Sequence, residues 1–197
     1  SGQAVSGRIM FNITSTGNSA YFNDMYYHTW AAPSVDYLYR NNVVKGTSAT
    51  TFSPNSHIKR CDFVLMLCRA FRLSGNNEYS FADVPLNAYY SQAAATAKRL
   101  GIISGGYFNP NGEVTREDGM LMIYNALNAA GWNIAPASTS VLNQFSDGGS
   151  VNDYARNAVS ALVQLGAVNG STSGRLNPHN PITRAEAAII FHFVLTM

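Results

Sequence analysis

The chain of 197 residues repeats itself three times, and this periodicity limits its fold more than any other feature. The first copy runs Phe22–Asp24 (FND), Trp30-Ala31, NNVVKG ending at Gly46, Phe52–Pro54 (FSP) and Ile58–Asp62 (IKRCD). The second runs Phe81–Val84 (FADV), Tyr89-Tyr90, LGIISG ending at Gly105, Phe108–Pro110 (FNP) and Val114–Asp118 (VTRED). The third runs Phe145–Asp147 (FSD), Tyr154-Ala155, LGAVNG ending at Gly170, Leu176–Pro178 (LNP) and Ile182–Glu186 (ITRAE). The Asp-to-Gly separation is 22, 22 and 23 residues, and the F/L-x-P element precedes its Arg by 8 in every copy. Only the loop between them varies: six residues from Gly46 to Phe52 and from Gly170 to Leu176, three from Gly105 to Phe108. Constant elements joined by a variable loop argue for homologous units.

Each copy reads as helix, loop, helix. The first helix opens near Trp30–Pro33, with Pro in the turn where its missing N–H costs nothing. Apolar residues then recur at helical spacing: Val35, Leu38 and Tyr39; Ala93, Ala97 and Leu100; Ala158, Leu162 and Leu165. Asn42, Gly101 and Gly166 suit left-handed caps. The second helix starts at the K/T-R element and carries Phe63, Leu67 and Phe71, or Leu121, Ile123 and Leu127, or Ile189, Ile190 and Phe193. Two helices cannot bury both their faces, so the three units must pack into one all-α body of pseudo-threefold character. We place the units at 21–76, 77–135 and 136–197, behind a lead-in of residues 1–20 whose RIMFNIT (8–14) alternates like a strand.

Charged residues make up 12% of the chain, about half the usual share, and the net charge is +2, which gives no electrostatic case for nucleic acid. No apolar run approaches the ~20 residues that span a bilayer, and residues 1–20 lack the pattern of an export signal. Cys61 and Cys68, seven apart on one helix, stand roughly 10 Å apart, too far for a disulfide. They read as small buried hydrophobes, and no Cys/His spacing suggests a metal.

Thr183 and Glu186, three apart before an apolar run, form a capping box. Arg184 between them has no such explanation, since a cation beside the positive end of a helix dipole is mildly unfavourable. Yet Arg60, Arg116 and Arg184 recur, even where Lys59 has replaced the capping Thr. A guanidinium with free N–H groups at a helix start suits a carboxylate or phosphate; pairing with an acid of a neighbouring unit is the other reading.

The order F-x-D, W/Y-A/Y, L-G-I-x-x-G, F-x-P, I/V-T-R-A/E-E/D resembles the S-layer homology (SLH) repeat in its usual set of three, over residues 22–197. The resemblance implies a bacterial cell-surface anchor, outside the cell at the wall or surface layer. Such modules bind secondary cell wall polysaccharide non-covalently, frequently through pyruvylated N-acetylmannosamine, with no cofactor. It implies a pseudo-trimeric prism in which the first helices form a central three-helix bundle and ligand grooves lie between adjacent repeats. By position, Arg60, Arg116 and Arg184 would hold the pyruvyl carboxylate, and Trp30, Tyr89 and Tyr154 would pack near the groove or on a sugar face. Asp24, Asp83 and Asp147 would accept sugar hydroxyls or order the loop. Gly46, Gly105 and Gly170 would allow close approach to a ligand or simply form tight turns.

The copies also differ. The first has KRCD for TRAE and Asn41-Asn42 for Leu-Gly; the second has a shorter loop and Glu117 poised to occupy Arg116; the third has an extra residue after Asp147. Unequal grooves are expected, with Arg184 the foremost. No nucleophile, metal or phosphate-loop motif is present, and His28, His57, His179 and His192 do not fall at equivalent positions, so catalysis is not expected. The alternative is a protein–protein module for surface-layer self-assembly, without glycan binding.

Overall fold

A computed structural model describes residues 18–75 and 81–197; the strand-like segment 8–14 lies outside them. Six helices carry the fold: α1 (Ala32–Arg40), α2 (Arg60–Ala70), α3 (Ser91–Arg99), α4 (Arg116–Ala129), α5 (Asp153–Gln164) and α6 (Arg184–Thr196). Among the described residues there is no strand, and no helix is long and apolar enough to cross a membrane. Each unit contributes two helices, as the periodicity predicts. Asn42, Gly101 and Gly166 all adopt positive φ (58°, 67° and 80°) where the first helices stop.

The second helices start at one shared knot. The N–H of Ile58 donates to the carbonyl of Ile182 (3.1 Å), that of Ile182 to Val114 (2.8 Å), and that of Val114 to Ile58 (3.1 Å). The three residues are at most 1% exposed, so none of these groups can turn to water instead. Just beyond the ring, the first two amides of each second helix are capped by the loop of another unit. Arg60 and Cys61 donate to Gly112 and Pro110, Arg116 and Glu117 to Asn180 and Pro178, Arg184 and Ala185 to Ser56 and Pro54. The unit order is one to two, two to three, three to one. The helix starts are therefore not open anion sites; the N–H groups read as free in the sequence are spent on neighbouring loops.

The helices pack in the same rotation: α1 lies on α6, α3 on α2 and α5 on α4. The centre is formed by second helices, contrary to the bundle of first helices that the resemblance implies. Phe63 of α2 meets Phe191 of α6 with ring centroids 5.4 Å apart, and its ring tip sits 3.2 Å from where a Cβ on Gly119 of α4 would lie. The physical reason is side-chain size. The first helices bury alanines and aliphatic residues but no aromatic ring, whereas the second helices add Phe63 and Phe191 to Leu67, Ile123 and Leu127. Tyr39 and Leu165, assigned to the apolar faces from spacing, stand at the surface (both 37% exposed). Cys61 and Cys68 are free thiols in the α2 packing, and burial pushes Cys68 up to about 11.

One carboxylate per unit shapes the F/L-x-P turn. Asp24 accepts the N–H groups of Phe52 and Ser53 (2.8 and 2.7 Å), Asp83 those of Phe108 and Asn109 (both 2.7 Å), and Asp147 those of Leu176 and Asn177 (2.8 and 2.9 Å). The second residue of each pair, Ser53, Asn109 or Asn177, has φ between 51° and 57°, a conformation that needs such a clamp. Burial alone would raise the Asp83 and Asp147 pKa values; the backbone N–H bonds outweigh it and hold both below the ordinary 3.8. These carboxylates add stability above about pH 4 that is lost as pH falls through their lowered values. Replacing Asp147 with Asn should cost about 1–3 kcal/mol at pH 7, read by denaturant unfolding, and should weaken the acid dependence below pH 4.

His192 of α6 shares a hydrogen bond through Nδ1 with Ser34 Oγ of α1 (2.9 Å) and lies tilted beside Tyr37 (ring centroids 4.5 Å apart), a half-buried histidine with its partner in another unit. Burial lowers its pKa below 6.5, so protonation favours the unfolded chain. Stability should therefore drop as pH falls below 6.5. In His192→Phe that slope should flatten, as measured by thermal unfolding at pH 7 and pH 5.

Candidate ligand groove between the repeats

The three repeated arginines all occupy the first turn of a second helix and reach into the next unit, with unequal results. Arg184 Nε donates to the Phe52 carbonyl (2.8 Å) and Nη2 to the Lys45 carbonyl (2.7 Å), and its guanidinium lies 4.5 Å over the Phe52 ring. Arg116 Nε donates to the Leu176 carbonyl (2.7 Å), the equivalent atom, while Nη1 is bound to Glu186 (2.8 Å). Arg60 pairs with Asp118 (3.3 Å), and its buried Nε has no partner. Among the described residues, Arg184 is thus the repeated arginine without a carboxylate partner. Burial pulls its pKa down and the nearby charges of Asp62 and Asp24 pull it back, but a guanidinium remains cationic at neutral pH.

A groove of about 340 Å³ opens beside Arg184, lined by Val44–Thr47, Asp62, Leu65, Met66, Arg69 and Tyr89. It draws on all three repeats: the arginine from the third, the loop and α2 from the first, the tyrosine from the second. The resemblance implied grooves between two adjacent repeats; the rotation of the packing brings in the third. Tyr89 donates to Asp62 Oδ1 (2.9 Å) and contacts Cys61 Sγ (3.4 Å); the Cys61 contact, burial and Asp62 together raise its pKa, so the phenol keeps its proton. Its ring stays 70% exposed at the groove edge.

At the second junction the corresponding residues are Arg60, Asp118 and Tyr154. Tyr154 donates to Asp118 (2.9 Å), which also holds Arg60, so one carboxylate closes the site. At the third they are Arg116, Glu186 and Trp30, which is 54% exposed and has no hydroxyl to offer an acid. Glu117 does not occupy Arg116, as its neighbouring position suggested. It is buried, caps α5 through the Asn152 N–H (3.0 Å) and Asn152 Nδ2 (2.5 Å), and meets His179 (3.2 Å). A residue next to an arginine on a helix points to another face; Glu186, from the neighbouring unit, does the pairing.

Asp24, Asp83 and Asp147 lie beneath the loops they clamp. The glycines part company. A Cβ on Gly46 would come within 2.6 Å of the Phe22 ring and one on Gly170 within 2.6 Å of the Phe145 ring, so both are needed where the loop crosses a Phe. Gly105 has open space around it and is required for its φ of 103°. Sequence reasoning passed over Lys45, Asp62 and Arg69. Arg69 was detectable by comparing second helices at a fixed offset from the repeated arginine, where the other units have Asn125 and Phe193.

The S-layer homology domain profile matches residues 21–64, 80–118 and 144–188. An amylopullulanase of Thermoanaerobacterium thermosulfurigenes is 33% identical over 98% of this chain and 11% of its own length. An endoglucanase of Bacillus sp. (strain KSM-635) is 32% identical over 92% of this chain and 19% of its own. The surface-layer 125 kDa protein of Lysinibacillus sphaericus is 27% identical over 82% of this chain and 14% of its own. The chain thus spans a fifth or less of the length of these relatives. With three profile matches in register with the three structural units, the chain belongs to the S-layer homology domain family, a cell-surface anchoring module.

Proposed function

We propose that this chain is a non-catalytic anchor that binds an acidic secondary cell wall polysaccharide non-covalently at the outer surface of a bacterium, with the groove beside Arg184 as its principal site. The observation that carries this reading is that Arg184, in an open groove, has no carboxylate partner among the described residues, when its two counterparts are closed by carboxylates. A sugar acid would take the place that Asp118 and Glu186 take at the other junctions, and the exposed ring of Tyr89 offers a face for the sugar. The recurrence of the same segment in an amylopullulanase, an endoglucanase and a surface-layer protein supports a role separate from either enzyme's chemistry. Pyruvylated N-acetylmannosamine, one carboxylate on a neutral sugar, fits that demand. The competing reading, surface-layer self-association, draws on the exposed rings of Tyr26 and Tyr27 (64% and 85%).

Calorimetric titration with a pyruvylated N-acetylmannosaminide, beside the same glycoside without the pyruvyl group, tests the proposal. Binding should require the carboxylate. Arg184→Ala will weaken the fold as well as the site, because the side chain also ties the third repeat to the Phe52 and Lys45 carbonyls. Arg184→Lys is the cleaner variant: affinity per folded molecule should fall by about tenfold or more through loss of the forked donor. Unchanged affinity in this variant would place the site away from Arg184, and concentration-dependent sedimentation without glycan binding would favour self-association. Glu186→Gln should keep the capping box but release Arg116, lowering stability by about 1 kcal/mol and creating a second, weaker binding event in the titration.

A further inference from the structure

The groove beside Arg184 does not end at its own rim. A second hollow of about 240 Å³ adjoins it, lined by Leu65, Cys68, Arg69, Leu73, Ser74, Tyr89, Gln92, Ala93 and Thr96. Leu65, Arg69 and Tyr89 line both, so the two hollows meet along a ridge made by these residues.

Charge distinguishes this track from the equivalent positions of the other junctions. Lys45 is replaced by Ser104 and Asn169, and Arg69 by Asn125 and Phe193. The groove therefore holds three cations, Lys45, Arg69 and Arg184, against one anion, Asp62. Neither the Lys45 ammonium nor the Arg69 guanidinium has a hydrogen-bonding or ion-pair partner among the described residues. Arg69 lies in the last turn of α2, where a cation suits the dipole, yet helices α4 and α6 do without one at that offset. One sugar acid at Arg184 would leave Lys45 and Arg69 facing Asp62 alone, with one positive charge uncompensated.

We infer that the track takes two consecutive sugar residues, each bearing an acid group. The first acid sits at Arg184, and the second residue enters the adjoining hollow with its acid against Arg69. The floor of that hollow, Leu65, Cys68, Leu73 and Ala93, is apolar and suits a sugar face, while the rim residues Gln92 and Ser74 suit hydroxyls. A carboxylate and a phosphate share the chemistry Arg69 would recognise. This inference rests on the acidic-glycan reading of the groove.

The test uses three disaccharides with a common acidic first residue. The second residue carries a carboxylate, a phosphate, or a hydroxyl at the same position, and each disaccharide is titrated calorimetrically into the full chain and into Arg69→Gln and Arg69→Lys. One of the doubly charged ligands should bind about tenfold or more tighter than the singly charged one, with a steeper salt dependence. Whichever of carboxylate and phosphate gives the larger gap identifies the second group. Arg69→Gln should erase the gap by weakening the doubly charged ligand much more than the singly charged one, at unchanged melting temperature, and Arg69→Lys should keep part of it. Equal binding of singly and doubly charged ligands, or an equal loss for both in Arg69→Gln, would overturn the inference and leave the proposed anchor intact. No binding by any of the three would overturn the anchor reading and the inference with it.

Discussion

Three backbone hydrogen bonds among Ile58, Val114 and Ile182 hold this molecule to one arrangement. Each residue gives its N–H to one neighbour and takes a bond from the other, in a place closed to water. Removing one unit would leave a buried donor and a buried acceptor unmet, at about 1–3 kcal/mol for each group. The crossed capping of the helix starts adds a similar penalty at every junction. Three is therefore the number at which the bonding closes, which explains why the apolar core is continuous across all units and not divided among them.

Binding capacity arises from departures within that symmetry. The backbone frame that brings each arginine to the next unit's loop is nearly the same at all three junctions. What differs is the carboxylate at the third helical position and the aromatic across from it. Asp118 is within reach of Arg60, and Glu186, one methylene longer, reaches Arg116 while completing its own capping box. Asp62 is instead held by Tyr89, and Arg184 turns to two carbonyls. The length and engagement of the acid do not decide this, since Asp118 is equally short and equally held by a tyrosine; the open junction is the one whose arginine is committed to two backbone carbonyls.

Much of this could be read from the sequence. The repeat, the helix pairs, the left-handed caps and the capping box all follow from local patterns with local physical causes. The axis of first helices came from the resemblance, and periodicity offered no check on it, because it marks which face of a helix is apolar and not which helix stands inside; that depends on the bulk of residues such as Phe63 and Phe191. The partner of Arg116 was missed for a related reason. Glu117 is adjacent in the chain, but Glu186 is adjacent in space, and only the rotation of one unit onto the next brings it there. Arg69 carries no repeat signature, with Asn125 and Phe193 at its offset in the other units, so the groove's character lies in what one unit alone possesses.

The junction that carries the open groove is also the seam of the molecule. The chain passes from the first unit to the second and from the second to the third, but no covalent connection joins the third back to the first. There non-covalent contacts alone hold: the α1–α6 packing, the ring bonds, the capping of α6 by Ser56 and Pro54, and the side-chain contacts of Arg184, His192 and Phe191. An anchor works under mechanical load, and a seam without covalent backing is where a pulled ring parts first. A ligand resting on Arg184 on one side and on Lys45 and α2 on the other would act as a clasp across it. By mass action, occupancy would stiffen the ring in the state that grips, so that holding the wall and holding its own shape become a single event.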